Sequence, residues 1–510
     1  MKESQISNRR IARNAIYLYI RTFVIMLVTL YTSRVVLKAL GTEDYGIYNV
    51  VGGIVVLFSV VTTSMTVTTQ RFLNYELGHG DINATKNVFC MSMNLYLAAV
   101  VLIIMLGETI GLWFLNTQLN IPDSRMSAAQ WVYQFSIATC CVSLLRIPYN
   151  ASIIAYEKMS FYAYVSIIEA VLKLGIVYML LIMRRIDLLI LYAALILVVT
   201  VIVNIIYYVY CHRTFSICQY RCYWNRDVSR KLVSFSSWTM LGSFANAIST
   251  QGAAFIMNIF CGVIVNAAMG IAGQVHIAVV SFVSGFQTAF NPQLIKSYAA
   301  GDRTGFLILL NRSSRFSYYL MLVFALPLFI WCREVLNLWL IEVPEFTVEF
   351  TRLTIIYCLI DSLSNPLWTS IGATGKIRFY QIWVSALILL NLPISYLLLK
   401  IGFSPITVLI TRVSINGIVH LGRVIHLRSL VGLSVRSYTT SVMLRCAMVT
   451  TVVSIFSIAC YTPSAGMIQW MISFITTILV TGGSAYFLGL SKNERKVISA
   501  KKLSKHKHKQ

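Results

Sequence analysis

The chain has 510 residues, of which 57% are hydrophobic and 12% are charged, and its formal net charge is +24 at pH 7. The surface of a water-soluble domain needs about 25% charged residues, so this composition excludes an ordinary soluble protein of three or four domains. The cations lie in short loops and tails between apolar runs, which is typical of membrane topology signals and argues against a nucleic-acid-binding surface.

Apolar runs recur from one end of the chain to the other. Each has 18 or more residues, which is the length that a helix needs to cross a bilayer core of about 30 Å. The first run continues into SRVVLKAL without a small-residue cleavage site, so the sequence predicts no cleavable signal peptide. We predict an all-α polytopic membrane protein with about fourteen transmembrane helices, at 14–37, 46–69, 88–113, 129–154, 161–183, 188–211, 232–260, 267–290, 314–339, 348–373, 380–400, 406–427, 441–461 and 467–490.

Two pairs of segments indicate an internal duplication. Residues 148–162 and 366–380 are identical at seven of fifteen positions at an offset of 218, and residues 41–81 resemble residues 262–302 at an offset of 221. Six predicted spans separate the copies, and because six is even, the repeats have the same orientation about an axis along the membrane normal. We therefore predict two six-helix bundles, 1–222 and 223–440, followed by two additional helices in 441–490 and a basic cytoplasmic tail, 491–510.

The distribution of basic residues predicts the orientation in the membrane. With the N-terminus inside, the cytoplasmic segments hold about 28 of the 42 Lys and Arg residues, and the outer loops hold about five. The basic loop 212–231 and the tail then lie on the cytoplasmic side. Both termini are predicted to be cytoplasmic.

Charged residues inside the predicted spans are the first candidates for function, because a charge at the bilayer centre costs roughly 2.5–3.5 kcal/mol. The cations chosen as substrate-binding candidates are Arg21, Arg146, Lys173 and Arg412. Anions are fewer, and Glu169 and Asp361 are the candidates for proton coupling. The excess of buried cations predicts an anionic substrate. The alternatives are arginines that extend to the lipid headgroups, and a structural Glu169–Lys173 pair at i, i+4 spacing.

Predicted span 7 is unusually polar. Asn246 and Gln251 lie among many Ser and Thr residues there, and we predict that these two amides face a water-filled lumen and bind substrate. Small hydroxyl side chains also serve helix packing in membranes, so packing remains the alternative for the Ser and Thr residues.

The sequence offers little for catalysis or for a metal. Cys211, His212, Cys218 and Cys222 do not have the spacing of a common zinc site. The chain contains no Walker A, HExxH or GxSxG motif, and the longest predicted outer loop, 114–128, is too short for a catalytic domain. We therefore predict a protein without a cofactor or a metal that is not an enzyme.

A resemblance to a known family rests on two segments and on the pattern of twelve duplicated spans plus two. The segments are SRVVLKALGTEDYGIYNVVGGIVVLFS (33–59) and RFLNYELGHGD (71–81). The chain resembles bacterial polysaccharide-export flippases, the Wzx-type branch of the multidrug/oligosaccharidyl-lipid/polysaccharide exporter superfamily. The resemblance implies a multi-pass protein of the bacterial inner membrane. It also implies alternating access and transfer of an undecaprenyl-diphosphate-linked oligosaccharide, a repeat unit of O-antigen, capsule or exopolysaccharide, from the inner to the outer leaflet.

The resemblance also suggests partners. These are the lipid-linked oligosaccharide itself, membrane lipids, and the polymerase and glycosyltransferases of polysaccharide synthesis, with no nucleic acid. Two other transporter functions remain open: a multidrug/cation antiporter of the same superfamily, and a flippase for the peptidoglycan lipid precursor. A membrane glycan polymerase or ligase is the enzyme alternative, and the short outer loops oppose it.

Overall fold

The computed structural model describes residues 14–29, 59–117, 122–183, 187–340, 343–460 and 467–491, with short or single positions between 31 and 51 and at 494–495. The described residues form helices and no strand. In chain order the helices are α1 Asn14–Thr29, α2 Ser59–His79, α3 Ile82–Thr117, α4 Asp123–Ala155, α5 Met159–Ile182, α6 Leu188–Thr214, α7 Arg226–Ala299, α8 Arg303–Ile330, α9 Cys332–Trp339, α10 Thr347–Thr374, α11 Arg378–Leu389, α12 Asn391–Lys400, α13 Ile406–Val431, α14 Val435–Ala459 and α15 Met467–Ser484, which one π-helical turn continues to Gly489.

Ten of the described helical segments are long and apolar enough to cross a membrane. The predicted all-α, multi-pass membrane fold is therefore confirmed, but the count of fourteen spans is not. Predicted spans 1 and 2 lie partly outside the described residues. Spans 7 and 10 are helical, in α7 and α10, but are not among the ten apolar segments because they carry many polar side chains.

The chain divides into two compact units. Unit 1 comprises Met1–Phe244 and Thr288–Gly301, and unit 2 comprises Ala245–Gln287 and Asp302–Gln510. The predicted bundle boundary at 222/223 and the two-helix appendage stay predictions.

The segment α7 reverses its direction. A straight helix of 74 residues would be about 110 Å long. However, the Phe235 ring lies 5.9 Å from the Phe72 ring of α2, and a Cβ on Gly78 of the same short helix would lie 2.7 Å from the Cβ of Ala299. Both ends of α7 therefore pack on α2, which is only 21 residues long. The middle of α7 belongs to unit 2. There one core cluster contains five of its residues: Ala253, Met257, Val265, Ala268 and Ala272.

The core of unit 1 joins α3, α4 and α6. Tyr133 of α4 is fully buried in it and donates its hydroxyl to the carbonyl of Gly107 at 2.8 Å, where α3 widens into a π-helical turn. A Cβ on Gly111 would lie 1.9 Å from that hydroxyl, so this close approach requires glycine. The core of unit 2 joins α7, α8 and α10 through Val279, Ala325 and Ile355.

The first pair of repeated segments has the same local structure in both copies. Pro148 and Pro366 each lie inside a helix. The Ser152 hydroxyl donates to the Pro148 carbonyl at 2.9 Å, and the Ser370 hydroxyl donates to the Pro366 carbonyl at 2.8 Å. In each copy a side chain thus bonds to a carbonyl of the turn that contains the proline.

The second pair agrees equally well. Gly80 and Gly301 have φ of 81° and 76°, a left-handed conformation that favours glycine. Asp81 and Asp302 follow, and each accepts from the backbone N–H three residues later, at 2.9 and 2.8 Å, to cap the next helix. The two matches support the duplication that the sequence predicts.

Candidate functional site

Three of the predicted site residues form one ionic group in unit 1. Glu169 of α5 accepts from Arg146 Nη1 of α4 at 2.9 Å and from Lys173 Nζ at 2.7 Å. The i, i+4 spacing predicts the Lys173 contact, and the structure adds Arg146. The side chains of Arg146, Glu169 and Lys173 are 25%, 20% and 40% exposed, so the carboxylate is partly screened from solvent by the two cations.

Arg21 of α1 contributes a further cation in unit 1. Its guanidinium carbon lies 4.5 Å from the centre of the Tyr162 ring, and the guanidinium carbon of Arg146 lies 5.6 Å from the Tyr207 ring. Tyr207 is within electrostatic range of Arg21, Arg146, Glu169 and Tyr162, so both arginines lie near this tyrosine. We call Arg21, Arg146, Lys173 and Glu169, with the two tyrosines, the cationic cluster.

The cationic cluster carries excess positive charge. Three cations against one carboxylate leave a net charge of +2. The buried Nε of Arg21 also has no hydrogen-bond partner among the described residues. Buried charge is costly unless it is paired, so the cluster is suited to an anion that adds negative charge and accepts hydrogen bonds. Arginine can stack on an aromatic face and can bind a phosphate through more than one hydrogen bond.

A cavity of about 60 Å³ lies inside unit 2. It contains three of the predicted residues: Asn246 of α7, Asp361 of α10 and Arg412 of α13. We call it the unit 2 cavity, and the remaining lining residues are Ser249, Thr250, Tyr357, Ile388, Asn391, Ile415, Asn416, Val419 and Arg423. Gln251 is exposed and is not part of this lining. The structure thus separates the two amides that the sequence groups together.

Contacts with aromatic rings fix the two arginines of the cavity. The guanidinium carbon of Arg412 lies 4.7 Å from the Tyr357 ring centre. Arg423 donates from Nε to the Tyr380 hydroxyl at 2.7 Å. Its Nη1 is buried and has no hydrogen-bond partner among the described residues.

Amides complete the polar wall. Asn416 Nδ2 donates to the Tyr357 carbonyl at 3.3 Å, and Asn391 Nδ2 donates to the Ser249 hydroxyl at 3.4 Å. Within the described ranges, Asp361 has no ion pair at 4 Å or less, so its carboxylate faces two arginines without a direct contact.

Arg423 is a cavity residue that is not among the predicted site residues, although the sequence contains a signal for it. Arg412, Asn416, Val419 and Arg423 are spaced at i, i+4, i+7 and i+11, which places them on one face of α13. All four line the cavity. The shared helix face therefore predicts Arg423 together with Arg412.

The described residues contain no group of three or more His, Cys, Asp and Glu side chains that could hold a metal ion. Cys211, which the sequence places near a possible zinc motif, donates its thiol to the Tyr149 carbonyl at 3.6 Å.

No protein-family model matches the chain, and no curated protein matches it. Several solved structures are similar to the chain. The crystal structure of a MATE mutant has a TM-score of 0.73 at 12% identity and covers 84% of this chain and 96% of its own. An outward-facing multidrug resistance MATE family transporter of the MOP superfamily has a TM-score of 0.72 at 13% identity with the same coverage.

A MOP superfamily transporter from Pyrococcus furiosus, described by a reverse polarity of its binding pocket, has a TM-score of 0.71 at 12% identity. It covers 84% of this chain and 96% of its own. The chain therefore has the fold of MATE transporters.

Proposed function

We propose that the protein is a flippase that transfers an undecaprenyl-diphosphate-linked oligosaccharide from the inner to the outer leaflet of the bacterial inner membrane by alternating access. The observation that carries the proposal is the cationic cluster of unit 1, in which Arg146 and Lys173 bind Glu169 and both Arg146 and Arg21 lie on tyrosine rings. The MATE fold of the chain supports a transporter.

A diphosphate needs such a group to cross a bilayer. Moving an isolated ion into hydrocarbon is prohibitively costly, and arginine replaces the hydration of a phosphate with directed hydrogen bonds. Arg21 and Arg146 supply guanidinium groups, and Lys173 supplies an ammonium group. Glu169 then serves as the counterion that neutralises part of the cluster before the substrate arrives.

The membrane potential supplies a driving force. The cell interior is negative, so the outward movement of negative charge is favoured by about 2.3 kcal/mol per charge per 100 mV. We therefore propose a secondary transporter with both termini in the cytoplasm. If a proton is coupled to transport, Asp361 is the better carrier, since Glu169 already accepts from two cations. The polymerase and the glycosyltransferases of polysaccharide synthesis are proposed partners.

Multidrug or cation antiport is the second candidate function, because a structural neighbour is described as a multidrug resistance transporter. A cationic drug would prefer a site with more anions than cations. Both the cationic cluster and the unit 2 cavity have the opposite balance. A flippase for the peptidoglycan lipid precursor differs in its headgroup and shares the same diphosphate requirement.

The proposal is tested by measuring polysaccharide export in cells that lack the chromosomal gene and express wild type or a variant. Arg21→Ala and Arg146→Ala should abolish polysaccharide export while the amount of protein in the membrane stays normal. Arg303→Ala is the matched control, because Arg303 is exposed in the first turn of α8. Normal export in both cluster variants would reject the assignment of the cationic cluster.

A drug-efflux assay on the same cells separates the two candidate functions. If export stays normal without the protein while resistance to cationic drugs falls, antiport is the function.

A further inference from the structure

We infer that the unit 2 cavity binds a carboxylate, and that this carboxylate belongs to an acidic sugar of the transported glycan. The assignment to a glycan rests on the proposed function; the assignment to carboxylate chemistry rests on the cavity itself.

The first argument is charge. Arg412 and Arg423 line the cavity opposite one carboxylate, that of Asp361, so the lining carries a net charge of +1. One monoanion brings the charge of the site to zero. A bare cation would instead raise it to +2 or more beside two guanidinium groups, which is repulsive at the low effective dielectric of the interior.

The second argument is an unused donor. The Arg423 guanidinium is held in place by its Nε bond to the Tyr380 hydroxyl, and its buried Nη1 has no partner among the described residues. An unsatisfied buried donor costs roughly 1–3 kcal/mol, and more when it is charged. A carboxylate oxygen is the acceptor that best suits a guanidinium, because their hydrogen-bonding geometries match.

The third argument is size. A cavity of about 60 Å³ has room for a few water molecules, since one water needs about 10–15 Å³ on this measure. The carboxylate of a sugar acid and the adjoining carbons of its ring fit this volume, whereas a diphosphate with its linked sugar does not. Ile388, Ile415 and Val419 form the apolar part of the wall.

The amides of the cavity explain how a sugar acid could be distinguished from a small free acid. Asn246, Asn391 and Asn416 belong to the same lining, and amide groups can both donate to and accept from sugar hydroxyls. A uronic acid carries hydroxyls next to its carboxylate, so it can use the arginines and the amides together. Acetate can use the arginines alone.

The experiment is ligand binding to the purified full chain in detergent, followed by thermal unfolding and by calorimetric titration. Sodium glucuronate is compared with glucose, sodium acetate and sodium chloride at constant ionic strength. We expect glucuronate to raise the unfolding midpoint and glucose to leave it unchanged. Arg423→Gln should weaken glucuronate binding at least about tenfold, the equivalent of 1.4 kcal/mol. Arg428→Gln, an exposed arginine on the same helix, should keep it.

Each outcome either supports or overturns the carboxylate site. Stronger binding of glucuronate than of acetate supports the sugar-borne source, and equal binding assigns the site to a free carboxylic acid. An equal response to glucose or to chloride, or unchanged glucuronate binding in Arg423→Gln, overturns the carboxylate site. If Arg423→Gln does not fold, Arg412→Gln and Asp361→Asn replace it; binding should weaken in the first and strengthen in the second.

This test uses no lipid-linked substrate and no flipping. If the protein binds glucuronate through Arg423 but does not flip any lipid-linked glycan, the proposed function fails and the carboxylate site stands. If the protein flips neutral glycans and binds no glucuronate, the proposed function stands and the carboxylate site fails.

Discussion

Glu157 offers a quantitative test of how the two repeated segments, 148–162 and 366–380, differ. It lies in the turn between α4 and α5 with φ of 58°, and its counterpart at the offset of 218 is Gly375, with φ of 75°. The Glu157 side chain is 1% exposed. Its carboxylate accepts from Lys296 Nζ at 3.0 Å and from Gln293 Nε2 at 2.6 Å, which ties this turn to the end of α7.

The expected effect of Glu157→Gly is the difference of two terms. Glycine relieves the left-handed strain of a non-glycine residue, about 1–2 kcal/mol. Loss of the carboxylate leaves Lys296 and Gln293 without this acceptor. Breaking a buried ion pair costs about 3–5 kcal/mol, but the Lys296 side chain is 24% exposed, which reduces the penalty to roughly 2–4 kcal/mol. We expect Glu157→Gly to lower the free energy of unfolding by about 1.5 kcal/mol, the difference between the middle values of these two ranges.

Thermal unfolding of the purified protein measures the order of stability. Glu157→Ala loses the carboxylate and keeps the strain, so it should be less stable than Glu157→Gly by about 1–2 kcal/mol. Gly375→Ala is the matched control in the second copy, and the left-handed backbone should make it less stable than wild type by a similar amount. A Glu157→Gly protein as stable as wild type, or more stable, would show that the strain outweighs the ion pair and would refute this reasoning.

Three further predictions concern the caps, the tail and the cationic cluster. Asp81→Ala and Asp302→Ala should each lower the free energy of unfolding by about 1 kcal/mol in chemical or thermal unfolding, because each removes the N-cap of a helix. If one variant lost more than about twice as much unfolding free energy as the other, the two caps would not be equivalent. Burial raises the pKa of Glu494, but the Ser491 N–H and the Arg315 guanidinium outweigh this effect and hold the pKa below its ordinary value. The stability that this group contributes is therefore present above about pH 4.5 and is lost as the pH falls. Acidification should then lower the unfolding midpoint of wild type more than that of Glu494→Gln. Glu169→Gln removes the anion of the cationic cluster, so pyrophosphate titration should show about tenfold tighter binding, and weaker binding would mean that Glu169 positions the cations for the ligand.

The local features of the fold could be predicted from the sequence because they depend on neighbouring residues. The repeated Pro-x-x-x-Ser and Gly-Asp patterns give the same hydrogen bonds in both copies. The Glu169–Lys173 pair follows from one helical turn. Hydropathy also predicts the ten apolar spans, but it does not confirm the polar spans in α7 and α10.

The pairing of residues on different helices could not be predicted in this way. Arg146 reaches Glu169 because of how α4 is rotated against α5, and one sequence does not contain that rotation. Gln251 is exposed because its neighbour Gly252 faces the Leu392 side chain of α12, where a Cβ would lie 2.7 Å away. Tertiary packing thus decides which polar residue of span 7 reaches the cavity.

The most direct test of the central claim is flipping in proteoliposomes. The purified chain is reconstituted with a polyprenyl-diphosphate oligosaccharide under an imposed membrane potential, and the glycan that becomes accessible to an external enzyme is measured over time. We predict exposure that depends on the potential and is lost in Arg146→Ala, with Arg303→Ala equal to wild type. Exposure no faster than in empty liposomes, with both acidic and neutral glycans, would contradict the proposed function.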